Sequence, residues 1–110
     1  MWIASTSGFF SIVQHHDLPD LVLVRSRVKI DLENLFAPDR IIHTPEGDYH
    51  WRVLATKKEA GELFLDSLMN INYSNFKNQV AQIPEQRDKL DAYHEIWRVM
   101  WDYSTKQQKK

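Results

Sequence analysis

The sequence has no cysteine, which excludes disulfides, thiolate nucleophiles, iron–sulfur ligation by cysteine and cysteine-based zinc sites together. That composition agrees with a reducing compartment, so a cytoplasmic location is the expectation. Glycine is scarce, with three in the chain, and Gly8, Gly47 and Gly61 form neither a P-loop nor a GxGxxG turn, so nucleotide binding through a glycine cradle is not supported. Ser5, Ser7, Ser11 and Ser26 lack the GxSxG context of a nucleophile elbow. No HExxH or facial-triad spacing occurs. An excess of charge of one sign is also missing: 14 basic and 15 acidic residues give a formal charge of −1. The whole-molecule field therefore offers no broad attraction to nucleic acid or to an anionic membrane, and any such binding must come from a local patch. No apolar run approaches the roughly 18 residues of a membrane span, and Met1 to Ser7 lacks the basic and apolar regions of a signal peptide. A membrane partner is not expected.

What the chain does have is apolar bulk. Hydrophobic residues make up 43% and aromatics 12% of 110 residues, too much for a disordered chain and enough for one core without metal or crosslinks. The expectation is a single α+β domain over residues 1–105 with a disordered tail over 106–110.

The region from Trp2 to His16 is rich in β-branched and aromatic residues, interrupted at Gly8 where a bend suits a glycine. A strand from Phe9 to His15 and another from Leu21 to Arg27, joined through His16-Asp17-Leu18-Pro19-Asp20, make a hairpin. Val28, Leu32, Leu35 and Phe36 recur at helical spacing before Pro38. Strands at Arg40–Thr44 and Tyr49–Ala55 form a second hairpin around Gly47. Thr56-Lys57-Lys58-Glu59 has the form of a capping box and predicts a helix from Lys57 to Met69, with Ala60, Leu63, Phe64, Ser67 and Leu68 inward. Ser74 is placed to cap a short helix to Gln82, with Phe76, Val80 and Ile83 inward. A last helix is predicted from Glu85 to Tyr103, with Leu90, Tyr93, His94, Trp97, Met100 and Trp101 forming a stripe at i, i+3, i+4, i+7 spacing, in which the packing of Trp101 is left open. The resulting fold class is α+β: a four-stranded, mainly antiparallel sheet of two hairpins with helices on one face, followed by a C-terminal helical segment. Strand order is open. An uncovered strand edge could also pair with a second copy, giving a dimer.

Four constellations could carry chemistry. Alternation places Arg25 and Arg27 on one face of the second strand, and His50 and Arg52 on one face of the fourth. If the apolar sets Val22, Val24, Ser26 and Tyr49, Trp51, Val53 face the helices, the cationic sets share the open face. Guanidinium forks there would suit carboxylates or phosphates, whereas solvated polar residues on an outward face are the commoner outcome. His15-His16-Asp17, together with His43 and His50, offers metal-ligand types, but adjacent strand residues point to opposite faces and no spacing motif supports a site. His94-Glu95 has the composition of an acid–base pair, better explained as a partly buried histidine. The aromatic cluster Tyr93, Trp97, Trp101 and Tyr103 is read as core at Trp97.

The segments Met1-Trp2, Gly8-Phe9-Phe10-Ser11-Ile12-Val13, Leu23-Val24-Arg25-Ser26-Arg27, Asp31-Leu32-Glu33, Asn72-Tyr73-Ser74-Asn75-Phe76-Lys77 and Tyr93-His94-Glu95-Ile96-Trp97 together resemble a group of small uncharacterised bacterial proteins. That resemblance implies no activity.

The expected function is a small non-enzymatic interaction or regulatory domain that binds another macromolecule through its sheet face or an edge. No cofactor, catalytic residue or metal ligand is assigned; the binding residues are Arg25, Arg27, His50 and Arg52. The alternatives are nucleic-acid or polyanion binding through those four residues, weakened by the lack of stacking aromatics on the strands, and a small hydrolase or nuclease using His15, Asp17 and His50.

Overall fold

The computed structural model describes residues 1–109. The chain divides into two compact units, residues 1–72 and the chain from Tyr73 onward, and each is described by itself.

The first unit is built on an antiparallel sheet of five strands: β1 (Trp2–Ser5), β2 (Gly8–Gln14), β3 (Leu21–Ser26), β4 (Ile42–His43) and β5 (Trp51–Thr56). Their order across the sheet is β1-β2-β3-β5-β4. The two expected hairpins are present, but the sheet has five strands where four were expected. The additional strand is β1, which pairs with β2 as Trp2↔Ser11, Ile3↔Phe10, Ala4↔Phe9 and Ser5↔Gly8. Thr6 and Ser7 alone connect the two, too short a turn to register against the continuous β-rich composition on either side. The β3–β5 pairing joins the hairpins within one chain. β4 is only two residues long because Pro38–Arg40 forms a turn of 3₁₀ helix and delays the strand.

Alternation along the central strands puts Val22, Val24, Val53 and Ala55 on one face, with Phe10 and Ile12 of β2 beside them. Helix α1 (Lys29–Glu33) and helix α2 (Lys57–Met69) supply the covering layer through Leu32, Ala60, Leu63 and Phe64, and Phe36 closes the same core. Thr56 caps α2 as its sequence predicts, its hydroxyl accepting from the Glu59 amide at 3.0 Å. The Glu59 carboxylate does not turn back to the helix start. It forms a bidentate ion pair with Arg40, whose Nη2 also donates to the Leu54 carbonyl at 2.9 Å. The pair holds the Arg40 guanidinium above, and the Glu59 carboxyl below, their ordinary pKa values, chiefly through the hydrogen bonds between them. Leu68, placed inward by periodicity, is exposed, because α2 runs past the core by its last turn.

Gly8 and Asp31 lock β1, β2 and α1 together. Asp31 is fully buried, and its Oδ2 accepts from the Phe9 amide at 3.1 Å. Gly8 has φ +152°, and a Cβ there would lie 2.3 Å from the Asp31 Cγ. Here glycine serves two needs, a backbone conformation that other residues resist and a contact distance that excludes any side chain.

The second unit contains α3 (Phe76–Ala81), a 3₁₀ turn at Arg87–Lys89, and α4 (Leu90–Gln108). Asn75, not Ser74, caps α3, its side chain accepting from the Asn78 amide at 2.9 Å. α4 starts later than predicted and continues through Lys106, Gln107 and Gln108, inside the segment expected to form the tail; Lys110 lies outside the described residues. Of that stripe only Tyr93 is buried, and it packs on Phe76 with ring centroids 5.3 Å apart. Trp97 is 50% exposed and Trp101 59%, stacked on each other at 5.5 Å. The core reading of Trp97 is therefore corrected. Apolar residues occupy most of the α4 circumference, at Ile96, Val99 and Tyr103 as well as at the stripe, and the six-residue α3 covers only a small part of it. His94 is likewise exposed, stacked on Trp97.

Candidate anion-binding face

The sheet face opposite the core is defined by register. Paired residues in an antiparallel sheet project to the same side, so Ile42, Arg52, Arg25, Ser11 and Trp2 form one row across all five strands. Leu54, Leu23 and Val13 form the next row on that face. Arg27 continues the face beyond the end of β3.

At the centre of the first row, Arg25 and Arg52 are direct cross-strand partners. Like charges so placed repel and destabilise the pairing. Among the described residues no carboxylate forms an ion pair with Arg25, Arg27 or Arg52. Their partners are neutral. Arg25 Nη2 donates to Ser11 Oγ at 2.7 Å, and Arg52 Nη2 donates to the Tyr49 carbonyl at 3.3 Å. The Nε atoms of both arginines are shielded from solvent with no acceptor, so each guanidinium is partly desolvated while its charge stays uncompensated.

Tyr49 assembles the cluster. Alternation along β5 assigned it to the core side, but residues 45–50 form a turn followed by a bend ahead of the strand, and the ring lies against the open-face arginines. The Arg25 Cζ is 4.7 Å and the Arg27 Cζ 4.1 Å from the ring centroid, within cation–π range. Burial pushes the phenol pKa up, but hydrogen bonds with Ser11 and Arg27 and the positive charges of Arg27 and Arg25 outweigh burial and bring it below the ordinary tyrosine value. An alkaline titration followed by tyrosinate absorbance should therefore begin at lower pH in the wild type than in Tyr49→Phe; coincident onsets would contradict this environment. Because the folded pKa lies below the unfolded one, ionisation of Tyr49 adds stability only as pH rises toward about 10, and nothing at neutral pH.

Of the four residues singled out from the sequence, Arg25, Arg27 and Arg52 are brought together around Tyr49. His50 is not: its side chain is exposed, with no hydrogen bond, ion pair or ring contact among the described residues. Sequence reasoning missed Ser11, Tyr49 and Trp2. Ser11 follows from alternation once the β2–β3 register is known, whereas the position of Tyr49 depends on a bend that no periodicity marks. Ser11 is 2% exposed, which suits a hydrogen-bonding link beneath the arginines and leaves no approach for a substrate to its hydroxyl.

The histidines do not converge as a catalytic set. His15 lies beyond the Gln14↔Val22 end of the sheet, whereas His50 lies beyond the Ser26↔Trp51 end, about 15 to 20 Å away along the strands at 3.4 Å per residue. His43 is stacked on Trp51 at 4.1 Å. His15, His16 and Asp17 do bring ligand-type atoms within 4.8 Å of one another. However, His15 Nδ1 accepts from the Asp17 and Leu18 amides at 3.1 and 3.2 Å. Two donors aimed at Nδ1 require it to be unprotonated, which leaves the proton of the neutral ring on Nε2, where a metal ion would need a lone pair.

No protein-family model matches the chain, and no match was found among curated proteins or among solved structures. Among the described residues no helix is long and apolar enough to cross a membrane.

Proposed function

We propose that this chain is a non-enzymatic recognition domain whose open sheet face receives an anionic group of a macromolecular partner between Arg25, Arg27 and Arg52. The observation that carries this reading is the directly opposed Arg25–Arg52 pair without a carboxylate counter-ion. Such a pair costs stability in the unliganded domain, and a bound phosphate or carboxylate offsets that cost while taking the bidentate bonds guanidinium groups favour. Tyr49 holds Arg25 and Arg27 from below, so fewer rotamers are lost when an anion binds.

Thermal unfolding in the presence of inorganic tripolyphosphate, against sodium chloride at matched ionic strength, tests the reading. A ligand that binds only the folded state raises the melting temperature by mass action. Tripolyphosphate should raise it above the chloride control in the wild type, and by much less in the double variant Arg25→Gln, Arg27→Ala. Equal curves in the two salts, or an undiminished rise in the double variant, would reject the site.

A further inference from the structure

We infer that the partner is single-stranded nucleic acid, with Trp2 stacking on a base while Arg25, Arg27 and Arg52 hold the neighbouring phosphates; this rests on the anion-binding reading above. The new observation is the placement of Trp2. The chain carries no excess positive charge, and its sequence alone places no stacking aromatic on the open strand face, both of which argue against nucleic acid. The β1–β2 register removes the second objection. Trp2 pairs with Ser11, which pairs with Arg25, which pairs with Arg52, so an indole and two guanidinium groups share one row on one face. Trp2 is 69% exposed, and its ring is steadied by Phe9, a diagonal neighbour on the same face, at 5.8 Å between centroids and 59° between planes.

Spacing supports the assignment. Trp2 and Arg25 are two strands apart, about 10 Å at 4.8 Å per strand, a reach that one nucleotide spans between its base and an adjacent phosphate. The indole does not compete with the cations, since Tyr49 is the ring that holds Arg25 and Arg27. A phosphorylated side chain would satisfy the arginines equally well but would make no use of an exposed ring two strands away. Duplex is disfavoured because its bases are already stacked within the helix, whereas every base of a single strand offers a π-face. The residue paired directly with Trp2 is Ser11, which is buried, and the arginines beyond it are assigned to phosphates, so recognition by stacking and charge is tolerant of sequence.

Fluorescence anisotropy of a labelled 15-mer oligothymidylate and of oligouridylate, across a salt series, tests the inference, with a phosphoserine peptide as the competing class. Wild type should bind the single strands, with log affinity falling against log salt at a slope of about −2, from about 0.7 per phosphate for three arginines. Trp2→Ala should weaken binding by about 10-fold or more without altering that slope, and Trp2→Phe should recover most of it, consistent with stacking worth about 1–3 kcal/mol per base. Arg27→Ala, at an exposed position, should lower the slope by about 0.7. If Trp2→Ala binds as well as wild type, or if the peptide binds and the oligonucleotides do not, the inference is overturned while the anion site stands. If neither ligand binds and tripolyphosphate gives no thermal shift, both fall.

Discussion

Replacing Gly8 with alanine should cost about 3 kcal/mol or more, a fall in melting temperature of roughly 12–24 °C for a domain of this size. Two effects combine. The residue has φ +152°, where an L side chain is strained, and the added methyl would sit 2.3 Å from the Asp31 Cγ and 2.4 Å from its Cβ. Neither atom is the yielding end of a flexible chain. Asp31 is fully buried and its side chain accepts from the Phe9 amide, so making room would break that buried hydrogen bond. Truncating Asp31 to alanine would leave its Cβ in place, so the double variant Gly8→Ala, Asp31→Ala should remain destabilised. Thermal denaturation followed by circular dichroism measures both; a Gly8→Ala melting curve that overlays the wild type would mean that β1 and α1 are not locked at this point.

The second large effect lies in the core, in contrast to a position that looks equivalent in sequence. Phe10→Ala should cost about 3–5 kcal/mol. Phe10 is fully buried, and it meets Phe64 edge to face with centroids 5.6 Å apart. Trp97→Ala, in the larger aromatic, should cost about 1 kcal/mol or less, because half of the indole is already in water and its contacts are stacking on Trp101 and His94 and an overlying Lys77 ammonium. Chemical denaturation of the two variants in parallel decides the matter. A Trp97→Ala loss as large as that of Phe10→Ala would restore the core reading of Trp97 that periodicity suggested.

That contrast shows how far local pattern reaches. Helical spacing finds α4, since Leu90, Tyr93, Trp97, Met100 and Trp101 are correctly placed on one arc. Whether an arc is buried depends on what lies opposite, and the short α3 covers only the part around Tyr93. The Thr56 cap was legible because its hydrogen bond closes within three residues, whereas the destination of the Glu59 carboxylate was not, because Arg40 lies 19 residues away in sequence. Likewise β1 was hidden because a two-residue turn leaves no compositional gap between two strands of similar residues.

The candidate site divides in the same way. Alternation in Leu23-Val24-Arg25-Ser26-Arg27 and in Trp51-Arg52-Val53 was enough to send the arginines away from the helices, since period-two geometry and the burial of Val22, Val24 and Val53 leave no other choice. It could not exclude His50, which precedes the first paired residue of β5, nor recruit Tyr49, which reaches Arg25 and Arg27 through a bend in the chain. Sequence by itself determined the elements, the core-facing strand positions and the outward cations, because each follows from backbone periodicity and side-chain polarity over a few residues. Only the tertiary structure decided that Arg25 opposes Arg52, that Ser11 and Tyr49 sit among them, and that Trp2 joins their row, because strand order and register are fixed by pairing between segments distant in the chain.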